Sequence, residues 1–149
     1  LTEVDFHTGV TEPVDYLCRL LRKAAGRGAR VVVRAPEAGL ELLDRALWVF
    51  DPQAFVAHLR LVEGRVPAPA LRRTPVWLVP PSLPWPVELL PCHTLVRWQC
   101  EPDADLGDWL RVIEVVSDDP AERVMARRQW RACEARGLAV RHHAATAAG

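Results

Sequence analysis

The 149-residue chain is predicted to be α/β: one domain, with a mostly parallel central sheet flanked by helices on both faces. Two observations predict this. The N-terminal third alternates strand-like and helix-like segments, and the last third returns to strand, helix, strand. Such alternation demands crossover connections, which produce parallel sheets covered by helices. Half of the residues are hydrophobic. A chain of this length buries roughly 70% of its unfolded surface, so a core forms without disulfides or metal.

The elements follow in order. Val4 to Phe6 reads as a first strand. Pro13 is tolerated in a first helical turn, and Thr11-Glu12 supply a cap and a favourable charge ahead of it. Val14, Leu17, Cys18, Leu21 and Ala25 then repeat at helical spacing until Gly26 and Gly28 end the helix. Arg30 to Arg34 is β-branched and reads as a strand. Leu40, Leu43, Ala46, Leu47 and Phe50 mark a second helix, stopped by Asp51-Pro52. Eight prolines between Gly64 and Pro91 exclude long regular elements there. Val76–Val79 and Leu95–Trp98 remain as short strands, and Leu110–Val116 as a longer buried one. A third helix starts at Pro120 with Asp118 or Asp119 as its cap, and Gly137 ends it. Leu138–Arg141 reads as a last strand. The domain is expected over residues 1–143, with 144–149 a frayed tail.

Charge and cysteine content narrow the function. Nineteen basic residues balance nineteen acidic ones, so steering of the whole molecule toward nucleic acid is weak and any basic function must come from a local patch. The four cysteines, Cys18, Cys92, Cys100 and Cys133, form no CxxC pair. Cys18 and Cys133 fall in helical patterns as small buried thiols, which fits a reducing compartment. No signal-peptide pattern opens the chain, and no run approaches the roughly 18 apolar residues of a membrane span. A cytoplasmic protein without membrane contact is expected.

Catalytic and cofactor signatures are missing. Gly26-Arg27-Gly28 follows a helix and precedes a strand, whereas a phosphate-cradling loop runs from strand to helix. Nothing matches GxxxxGK[ST], and Lys23, the sole lysine, is mid-helix. Ser82 and Ser117 lie in no GxSxG elbow. Cys92-His93 and His142-His143 lack zinc-site spacing. Asp103, Asp105 and Asp108 lack the glycine and glutamate of a calcium loop. No catalytic residue, metal or cofactor is assigned.

The third helix carries the strongest pattern. At about 100° per residue, Arg123, Arg127, Trp130 and Arg131 fall near 0°, 40°, 340° and 80°, an arc of roughly 100°. Glu134 shares the arc and is placed to neutralise Arg127 or Arg131. Met125, Ala132, Val124 and Ala135 lie on the other side, where they are expected to face the core. Guanidinium groups around an indole suit an acidic ligand with an apolar side chain. They suit catalysis poorly, because arginine keeps its proton.

Two segments resemble a known family. Leu43-Asp44-Arg45-Ala46-Leu47-Trp48-Val49-Phe50-Asp51-Pro52, with Phe55 and His58, is similar to the LDxxLWxFxxxxFxPH region of the chi subunit of bacterial DNA polymerase III. Arg111-Val112-Ile113-Glu114-Val115-Val116, then Ala126-Arg127, Trp130 and Gly137, resembles that family's C-terminal strand–helix–glycine segment. The similarity spans nearly the whole chain. It departs at Ala57, where the family has proline, and in the proline-rich stretch from Pro81 to Cys92.

The resemblance implies a Rossmann-like fold and a non-catalytic clamp-loader accessory protein. Its expected partners are the acidic, apolar-ended C-terminal tail of single-stranded DNA-binding protein and the psi subunit. The tail would be held by Arg123, Arg127, Trp130 and Arg131. Trp48, Pro52 and Phe55 would contact psi, while Phe50 is expected to fill the core. A nucleotide-binding enzyme and a direct DNA-binding protein are the competing classes, disfavoured by the missing phosphate loop and by the zero net charge.

Overall fold

The computed structural model describes residues 2–53, 55–65, 67–84, 93–103, 106 and 109–145. Among them the order is β1 (Glu3–Val10), α1 (Pro13–Gly26), β2 (Val31–Arg34), α2 (Glu37–Val49), β3 (His58–Arg60), β4 (Val76–Val79), β5 (Thr94–Trp98), β6 (Arg111–Ser117), α3 (Pro120–Ala135) and β7 (Ala139–Ala144), with a short 3₁₀ turn at Pro69–Leu71. The strands form one sheet in the order β3-β4-β2-β5-β6-β1-β7. Every neighbouring pair is parallel. The predicted α/β architecture is therefore realised, with the sheet wholly rather than mostly parallel.

Side-chain alternation along the strands splits the interior in two. Val31 and Val33 of β2 join Leu17 and Leu21 of α1 and Leu40, Leu43 and Leu47 of α2 on one face. Val32 points the other way, into a cluster with Val4, Phe6, Val112, Val116 and Cys133 of α3. Leu106 and Trp109 cover the rest of that second face from the loop before β6. Gly39 lets α2 approach the sheet closely, since a Cβ there would meet the Trp98 ring at 2.8 Å.

Several expectations are corrected. β1 runs on to Val10, because pairing with both β6 and β7 stabilises residues that look unremarkable in sequence. β3 was not expected at all; its three residues extend the sheet edge beside β4. Thr11 gives α1 no side-chain cap. β7 continues to Ala144, opposite Thr8, and the Ala145 amide donates to the Thr8 carbonyl, so the first residue assigned to the tail is strand. Residues 146–149, Cys92, Asp105 and Asp108 lie outside the described residues. Cys18 and Cys133 are buried free thiols.

The core face of α3 differs most. Glu122, Gln129 and Cys133 are its buried residues, while Val124 and Ala135 are exposed. The buried stripe thus lies about 90° from the one expected. Both buried polar residues are satisfied locally, which is what makes their burial tolerable. Glu122 accepts from the Ser117 hydroxyl at 2.7 Å and from Gln99 at 3.2 Å. Gln129 exchanges two hydrogen bonds with the Asp103 backbone, at 2.7 and 2.5 Å.

Candidate peptide-binding groove

The helix that forms the site is fixed at both ends. The Asp119 carboxylate accepts from the Ala121 amide at 2.7 Å, and Pro120 occupies the first turn. Gly137 adopts φ 74°, a conformation suited to glycine. That turn lets the Gly137 and Leu138 amides reach the carbonyls of Glu134 and Cys133.

Beside this helix runs an open groove of about 710 Å³. Helix α3 contributes Arg123, Ala126, Arg127, Trp130, Arg131 and Glu134. The sheet contributes Phe6, Thr8 and Gly9 from β1, Val116 and Ser117 from β6, and His142 from β7, with Asp118 at the β6–α3 junction. All four side chains read from the helical arc therefore converge on one cavity. The groove opens at the carboxyl ends of β1 and β6. There the two connections part, β1 feeding α1 on one face of the sheet and β6 feeding α3 on the other. Ligands in open α/β sheets bind at such a divide. Gly9 lies within β1, and the Thr11-Glu12 turn that follows has no glycine and no phosphate-binding pattern.

Floor and rim differ in chemistry. Phe6, Val116 and Ala126 make the floor apolar, and the Trp130 ring rests on Phe6 with centroids 4.9 Å apart. Trp130 is half-buried, so one side packs inward while the rest lines the groove. The three arginines are exposed. They enter no ion pair among the described residues, in contrast to Arg19, Arg22, Arg45, Arg60, Arg97, Arg111 and Arg141. Glu134 pairs with neither Arg127 nor Arg131 among the described residues, contrary to the neutralisation expected from the arc.

Sequence reasoning missed the sheet side of the groove. Thr8 Oγ1 and His142 Nε2 lie 2.5 Å apart, although 134 positions separate them in the chain. Only the parallel register brings them together. Strand β7 is in turn tied to β1 by Asp5, whose buried carboxylate accepts from Arg141 of β7 at 3.0 Å and from Arg111 of β6 at 2.9 Å. Burial alone would push the Asp5 carboxyl up. The two guanidiniums outweigh it and hold the group below the usual carboxylate range.

A second surface lies at the end of α2. Trp48 and Phe55 are 63% and 53% exposed, with rings 5.1 Å apart. Both also pack on His58, at 5.2 and 5.8 Å. His58 Nδ1 donates to the Val56 carbonyl, and Nε2 stands 2.8 Å from Asp44 of α2. That contact joins α2 to β3 and positions the aromatic pair. Pro52 is exposed nearby. Phe50 packs against the core as expected, with the Arg22 guanidinium 5.5 Å above its ring.

Among the described residues no group of three or more histidine, cysteine or carboxylate side chains is placed to hold a metal, and no helix is long and apolar enough to cross a membrane. His93 accepts from the Arg30 amide at 3.1 Å, a structural contact. A family model described as DNA polymerase III chi subunit, HolC, matches residues 1–141. No curated protein matches the chain.

Proposed function

The chain belongs to the DNA polymerase III chi-subunit family, and from that premise we propose that it is a non-catalytic adaptor whose α3 groove binds the acidic C-terminal tail of single-stranded DNA-binding protein. One observation carries the reading: three guanidiniums without carboxylate partners among the described residues stand beside an indole over an apolar-floored groove. Arg127 and Arg131, one helical turn apart, offer planar donor forks to the carboxylates of such a tail. Trp130, Phe6 and Val116 offer a surface for its apolar end.

The aromatic pair Trp48 and Phe55, with Pro52, is the proposed contact for the psi subunit, which would join the chain to the clamp loader. Exposed aromatics of this size are unusual without a partner. They lie at the end of α2, apart from the groove on α3, so one molecule can hold both partners. That role places the protein in the cytoplasm.

Calorimetric titration with a tail peptide and, separately, a single-stranded oligonucleotide tests the reading. A dissociation constant near the micromolar scale, roughly −8 kcal/mol, is expected for the peptide. It should weaken with added salt, because exposed charges are screened beyond about 8 Å at physiological ionic strength. Tight oligonucleotide binding with no peptide heat would overturn the proposal in favour of direct DNA binding. Saturable nucleotide binding would favour the enzyme reading.

A further inference from the structure

The groove also contains two carboxylates of the wrong sign for an acidic ligand. Asp118 lies at the β6–α3 junction and Glu134 in the last turn of α3, and both line the cavity with the three arginines. Both are exposed, and neither enters an ion pair among the described residues. Arg131 precedes Glu134 by three positions, within reach on a helix, yet the two stay apart. Each acid therefore presents its own negative charge to whatever enters, beside the three arginines.

Their placement is ordered. Along α3 the arginines at 123, 127 and 131 span about 12 Å at 1.5 Å per residue. Asp118 lies before this row and Glu134 after it. An extended peptide advances about 3.3 Å per residue, so the row matches the length of about four ligand residues. Like charge waits beyond both ends.

We infer that Asp118 and Glu134 fix the register of the bound peptide, by repelling any ligand whose carboxylates overrun the arginine row. This rests on the tail-binding reading and gives it a specificity rule. Attraction along the row draws in any acidic segment. Repulsion at its ends selects segments whose charges are confined to a short block, leaving the apolar residue to settle over Trp130. Discrimination by a built-in repulsive element lowers absolute affinity while widening the difference between ligands.

The test uses the wild-type protein, D118N, E134Q and the double variant, with thermal melts to check folding. Two peptides of equal length, net charge and apolar C-terminal residue are titrated at fixed salt. One carries its acidic residues in a central block; its isomer carries them divided between the ends. Wild type should prefer the block peptide. Each single substitution should tighten binding of the isomer about two- to fivefold, on the scale of exposed charge pairs, and of the block peptide less. The double variant should lose most of the preference. Equal tightening of both peptides, or a preference unchanged in the double variant, would overturn the register rule. A wild-type protein that binds both peptides equally would also overturn it, leaving tail binding intact. A folded wild type that binds neither would reject the tail-binding reading itself.

Discussion

Arg127→Ala is expected to weaken tail-peptide binding about five- to thirtyfold, and Trp130→Ala at least as much. Arg127 is exposed and enters no ion pair among the described residues, so its removal leaves the fold within about 0.5 kcal/mol of wild type. A hydrogen bond to a charged group is worth roughly 1.5–3 kcal/mol, reduced by exposure, and that range sets the expected loss. Trp130 differs because its ring also packs on Phe6. Truncation removes the aromatic wall from the groove and some packing from the core. Trp130→Phe separates the two effects, keeping a ring on Phe6 while reducing the surface offered to the ligand. Calorimetry on folded variants checks both. Unchanged affinity in Arg127→Ala and Trp130→Ala together would remove the groove from the account.

The largest effect on stability is expected at Glu114. Its carboxylate meets the Arg97 guanidinium at 2.6 Å, and both side chains are buried. Burial disfavours charge on Arg97. The Glu114 carboxylate reverses that and holds the guanidinium protonated above its ordinary value. Arg97 also donates to the Glu101 carbonyl, and Gln129 of α3 lies beside Glu114. The pair thus links β5, β6 and the underside of α3. Glu114→Ala strands a buried guanidinium and should cost about 3–5 kcal/mol in urea unfolding. Replacing both partners by apolar residues of similar size should recover most of that loss. A loss below about 1 kcal/mol in Glu114→Ala would show that water reaches Arg97 and that the pair contributes little. Because Gln129 sits directly above, peptide affinity should fall in the single variant even where it remains folded.

Much of this architecture was legible from residue spacing. The alternation from Val4 to Phe50 is carried by clear helical periodicity and a β-branched strand, and each element appears in that order, with β1 running on to Val10. The solvent face of α3 was legible for the same reason, since arginine and tryptophan recur at one-turn intervals. Its buried face was not. Val124 looks like a core residue and Glu122 does not, but the chain inverts them: Glu122 has Ser117 and Gln99 to bond, while Val124 is exposed. Strand β3 escaped notice because His58–Arg60 is too short to show alternation. The sheet side of the groove, Thr8 and His142, depends on the pairing of the first and last strands. No local pattern encodes that.

Mapping the bound peptide by backbone amide chemical shifts tests most directly the proposal that the α3 groove holds the tail. On titration of the labelled protein with the tail peptide, the largest shifts are predicted along α3 from Arg123 to Glu134, at the β1 and β6 ends around Gly9 and Ser117, and at the Trp130 indole. Shifts centred instead on Trp48 and Phe55, with α3 unmoved, would contradict the account.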